Sequence, residues 1–182
     1  MRTQIRRGVF ETNSSSTHSL TWSRKSQMAP PDCLHPNDDG YVEVTFGEFG
    51  WEWEEYNDPI DKLSYLVTMI AENLQYRMWD NPDEIIETKE EFEQLPDFRQ
   101  VSEVVANYCD CNGITLLNDV ETKISNYDGK EHYYLEVDGY IDHQSCESYR
   151  CIKDFLDDYG SPTLESYIFD YGISVQTGND ND

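Results

Sequence analysis

The chain has 182 residues, a hydrophobic fraction of 37%, and 37 Asp and Glu against 13 Lys and Arg, for a formal net charge of −24. That length suits one substantial domain, and 13 Tyr, 7 Phe and 4 Trp exclude a disordered chain, which would be poor in aromatics. No apolar run approaches the ~20 residues that span a bilayer, and no apolar stretch follows the N-terminal basic residues as a signal peptide requires.

Residues 1–27 are basic and rich in hydroxyls. Arg2, Arg6, Arg7, Arg24 and Lys25 face a single acid, Glu11, within the first 25 residues. Ser14, Ser15, Ser16 and His18 lie between these cations. Residues 28–177 read as an acidic α+β domain, and 178–182 as a flexible acidic tail. Three prolines and Asp38-Asp39-Gly40 predict a loop over 28–40. Tyr41–Phe46 alternates with period two and reads as a strand.

The clearest helix follows. Asp58 can cap it, Pro59 suits its first turn, and Asn81-Pro82 ends it. Ile60, Leu63, Val67, Ile70 and Leu74 form an apolar stripe that Leu66, Met69, Tyr76 and Trp79 widen, so this helix is expected at the centre. Thr88 and Glu91 fit a capping box for a short helix from Lys89. A further helix opens at Asp97, with Phe98, Val101, Val104, Val105 and Tyr108 on one face and Gly113 at its C-terminus. Ile114–Leu117 reads as a strand, Val120–Ile141 as a hairpin turning at Asp128-Gly129, and Glu147–Leu156 as a helix. Ser166–Phe169 and Ile173–Val175 read as final strands. The expected fold is α+β: an antiparallel sheet packed against a central amphipathic helix and two or three further helices.

Acidic residues gather in three stretches. Glu48, Glu52, Glu54, Glu55 and Asp58 interleave with Trp51, Trp53 and Tyr56. Asp80, Asp83, Glu84, Glu87, Glu90, Glu91 and Glu93 form a second group, and Asp154, Asp157 and Asp158 a third. Outside residues 1–25, 36 acids stand against 8 cations. Self-repulsion of that size opposes folding. Each group alone reads as a solvated face, but together they point to a surface that meets a basic partner, with Trp and Tyr as anchors. The N-terminal cations and hydroxyls suit secondary contacts with nucleic acid or with the partner.

The cysteines, Cys33, Cys109, Cys111, Cys146 and Cys151, are odd in number and fit a reducing compartment as free thiols. Cys109 and Cys111 are closer together than the usual zinc knuckle, so no metal and no cofactor is expected. With so many acids, carboxylate pairs arise by chance, and no nucleophile–base pair is evident, so no enzyme activity is expected.

Arg6-Arg7-Gly8-Val9-Phe10-Glu11-Thr12-Asn13-Ser14-Ser15-Ser16-Thr17-His18-Ser19-Leu20 resembles the N-terminal signature of many bacteriophage and prophage proteins. Together with the length and acidity, it is similar to phage-encoded anti-CRISPR proteins that inhibit a type II CRISPR effector nuclease. The resemblance implies a cytoplasmic protein of a bacterial host, with a nuclease–guide RNA complex as its partner. Such effectors read a duplex motif with arginines and hold a heteroduplex in a positive channel, which carboxylates could occupy. Two other readings stand beside it: a small phage enzyme using the Ser-rich segment, and a phage accessory or structural protein.

Overall fold

The computed structural model describes residues 2–4, 16–22, 26–50, 53–127, 129–141, 151–158 and 162–179. Helix α1, Pro59–Asp80, runs through its centre. The Asp58 side chain accepts from Ile60 N, Pro59 occupies the first turn, and Asn81 ends the helix with its N–H on Met78 O. Leu63, Leu66, Val67, Met69, Ile70, Ala71 and Leu74 are buried together with Tyr65 and Thr68. The middle of α1 is therefore covered on nearly every side. Ile60 and Tyr76, expected in the apolar stripe, lie at the surface instead, 36% and 46% exposed, although Pro59, Lys62 and Met78 close to them are buried.

Short strands surround this helix in four small sheets, where one antiparallel sheet was expected. β1 (Arg2–Gln4), β2 (Ser16–Trp22), β10 (Ile173–Asn179) and β5 (Glu54–Tyr56) form an antiparallel sheet in the order β1-β2-β10-β5. β3 (Val42–Val44) pairs in parallel with β6 (Ile114–Leu116), and β4 (Glu48–Phe49) in parallel with β9 (Tyr140–Ile141). Parallel pairing follows from the connections: all of α1, α2 (Lys89–Glu93) and α3 (Pro96–Cys109) lies between β3 and β6, making a crossover in place of a hairpin. β7 (Glu121–Tyr127) and β8 (Lys130–Glu136) form the hairpin expected over 120–141, which ends at Glu136, while Tyr140 and Ile141 leave it to pair with β4.

α4 (Ile152–Asp158) covers the last part of the helix read over 147–156, whose start falls outside the described residues. Residues 166–169, read as a strand, belong instead to helix α5 (Leu164–Phe169). Thr163 Oγ1 accepts from Ser166 N at 3.0 Å and caps it. Leu164, Tyr167 and Ile168 then fall three and four residues apart on a buried side. A four-residue apolar window is too short to separate the two periods.

Aromatic edge-to-face contacts tie these parts together. Tyr56, Phe49 and Tyr65 form a chain with ring centroids 5.1 Å apart at each step, and Phe155 continues it to Tyr167 at 5.4 Å. Such pairs add about 0.5–1.5 kcal/mol each beyond area burial. Strand β5, at the surface, is therefore anchored by Tyr56 to the same core that holds α1.

Candidate acidic interaction surface

The acidic surface is built where β5 runs into α1. Trp53, Glu54, Glu55, Asn57 and Asp58 are exposed, and Trp53 is 72% exposed, the most open of the large apolar side chains among the described residues. Glu48, on β4, is also exposed. Tyr56 is half-buried, and its hydroxyl donates to the Glu54 carboxylate. Burial and the Glu54 carboxylate hold the Tyr56 phenol well above its usual range. On the other face of the strand, the Glu55 carboxylate accepts from Ser174 Oγ at 2.7 Å.

Asp61, in the first turn of α1, joins this group although it was not among the residues expected at the interface. Burial, and then the carboxylates of Asp58 and Glu54, push its carboxyl above the usual range. Glu54, Asp58 and Asp61 thus share one negative field. The signal was present in the spacing, since residues three apart on a helix are neighbours.

The platform beneath is fixed at the junction of α5 and β10. Lys62 is fully buried and donates from Nζ to Asp170 O at 3.0 Å and to Ile173 O at 3.1 Å. Burial lowers its ammonium to about 8, against the opposing pull of Asp170, Asp58 and Cys33. Asp170 Oδ1 accepts from Gln27 N at 2.7 Å and Gly172 N at 2.8 Å. Burial works to raise the Asp170 carboxyl, but these N–H groups, the Ser26 hydroxyl and Lys62 together hold it below its usual value. The corner therefore sets where β10 begins, and β10 sets where β5 lies.

The second acidic stretch divides. Glu84 meets Arg77 at 2.7 Å and accepts from Asn81 at 3.2 Å. Glu91 turns back to accept from Glu87 N at 2.7 Å, completing the cap that Thr88 begins. Asp83, Glu87 and Glu90 project into solvent without a side-chain partner among the described residues. Glu93, expected in this acidic group, is committed inside the fold instead: it accepts from Thr115 Oγ1 and Leu116 N, each at 2.8 Å. In the third stretch Asp157 pairs with Lys153.

Arg2 lies on β1, and Ser16 and His18 on β2, with His18 in register with Thr177 of β10. The basic N-terminal segment and β5 thus flank the same strand, β10. Arg6, Arg7, Ser14, Ser15, Arg24, Lys25, Trp51 and Glu52 lie outside the described residues.

Among the described residues no group of three or more His, Cys, Asp or Glu is placed to hold a metal ion. Cys33, Cys109, Cys111 and Cys151 are free thiols. Burial pushes Cys109 up to about 12 and also raises Cys33, so neither is an activated nucleophile at neutral pH. Two open grooves of about 400 and 570 Å³ meet at Tyr41; Glu93 of the second acidic group lines the smaller, and neither is lined by the β5 residues. No described helix is long and apolar enough to cross a membrane. No family model, curated protein or solved structure matches the chain.

Proposed function

We propose that this protein is a stoichiometric inhibitor of the anti-CRISPR kind, which binds a type II CRISPR effector nuclease and its guide RNA and blocks DNA recognition or cleavage. One observation carries the reading. If every one of the 13 Lys and Arg neutralised a separate carboxylate, 24 Asp and Glu would still be unpaired. Such an excess opposes folding and suits a groove that otherwise receives phosphates. The resemblance of residues 6–20 to phage proteins supports the same reading, as does the exposed Trp53 beside Glu54, Glu55 and Asp58.

In this reading, Glu48, Glu54, Glu55 and Asp58 meet Lys and Arg of the target, with Trp53 and Tyr56 as anchors. The second acidic group contributes through Asp83, Glu87 and Glu90. The N-terminal cations make secondary contacts with guide RNA or with the nuclease. The test is titration of the protein into a fixed amount of nuclease–guide RNA complex during DNA cleavage. Inhibition is expected to saturate near one to one and to weaken steeply with salt, because exposed charges are screened beyond about 8 Å at physiological ionic strength. Inhibition far below one to one, or unchanged in high salt, overturns the reading.

A further inference from the structure

The four-stranded sheet ends on β5. Its inner edge pairs with β10 through Tyr56↔Val175, Glu55↔Gln176 and Glu54↔Thr177. Among the described residues no strand pairs with its outer edge. An open edge offers a row of N–H and C=O groups to an incoming chain. This edge is accessible, since Glu54, Glu55 and both residues that follow Tyr56 are exposed. It is also held in place before any partner arrives, by the Tyr56–Phe49 ring contact and the Ser174–Glu55 hydrogen bond. A pre-ordered edge lowers the entropy lost on binding.

Charge selects the occupant. A second copy adding antiparallel would set Glu54 and Glu55 against the same residues, which repel directly opposite one another. Nucleic acid would bring phosphates to the same carboxylates. A strand bearing Lys and Arg meets attraction on both of its faces, because successive side chains point to opposite sides and Glu54 and Glu55 therefore cover one side each. Trp53, two residues before Glu55, adds an aromatic face for a guanidinium or a lysine stem.

We infer that the outer edge of β5 takes up an extended, Lys- and Arg-bearing segment of the target protein as a fifth strand, joined by main-chain hydrogen bonds. This rests on the acidic-surface reading for the identity of the target and adds how recognition is made. The probe is a synthetic octapeptide in which lysine–lysine pairs alternate with valine–threonine pairs, so that each face of the strand carries lysines. Its control has every second residue in the D configuration, which keeps charge and composition but breaks the pleat.

The full-length protein is expected to bind the all-L peptide at least about tenfold more tightly than the control. Hydrogen exchange should slow at the amides of residues 54–56 when the all-L peptide is bound. The pair Glu54→Gln and Glu55→Gln keeps side-chain acceptors and should weaken binding several-fold, as should Trp53→Ala, a change at a surface position that leaves the core intact. Equal affinity for the two peptides, no binding of either, or no protection at 54–56 overturns the edge inference. The nuclease titration is read separately, so the inhibitor reading can survive that result or fail without it.

Discussion

Lys62 has no exposure, yet it holds an ammonium against two backbone carbonyls at the turn between α5 and β10. Its position was partly legible, since it precedes Tyr65, Leu66 and Met69 by three, four and seven residues and so lies on a buried line of α1. The carbonyls it meets are more than a hundred residues away in sequence, which no local pattern encodes. Burial sets its folded-state value near 8, below the 10.5 of an open chain. Between those values the unfolded chain binds more protons, so stability contributed at this position rises with pH. Measured against Lys62→Met by urea denaturation, the parent protein should gain roughly 1–3 kcal/mol between pH 7 and pH 11. A stability difference that is flat or falling over that interval would show that the amine is not desolvated as described.

Elements with their own start and stop signals were readable from the sequence. α1 keeps Asp58, Pro59 and Asn81 where the capping rules put them, and the hairpin turns at Gly129, whose φ is +76°. The parallel pairs were not readable, because β3, β4, β6 and β9 are two or three residues long and find partners far along the chain. Gly113 was placed at the end of α3, but the left-handed residue there is Asp110, at φ +53°. Gly113 instead opens β6 at φ +107°, and its carbonyl accepts from Val42 N at 2.9 Å. A Cβ at Gly113 would stand 2.2 Å from Ser102 Oγ and 3.1 Å from Ser102 O. Ser102 Oγ also accepts from Ile114 N at 3.1 Å, so it has little freedom to yield. Gly113→Ala should therefore destabilise the protein by about 2–4 kcal/mol, seen as a lower denaturation midpoint with an unchanged urea slope.

Charge acts across the entire protein, and its sign and size were read directly from composition. Composition could not say which carboxylates are already committed. Glu84 to Arg77, Glu91 to the α2 cap and Glu93 to β6 became visible only through tertiary contacts. Because so many carboxylates repel one another, added salt should stabilise the folded state: Tm by calorimetry is expected to rise several degrees from low salt to about 0.5 M NaCl. The same salt should weaken the proposed complex with a nuclease, and parallel trends in both would contradict the electrostatic account.

The sheet carries a further consequence for how the chain matures on the ribosome. β10 is the strand on which both β2 and β5 are laid, and it follows every other described strand in the chain. Until residues 173–179 emerge, β5 has nothing to lie against. The acidic edge therefore takes shape only once β10 has been made, and a nascent chain stalled before β10 would carry its charge without the strand that arranges it.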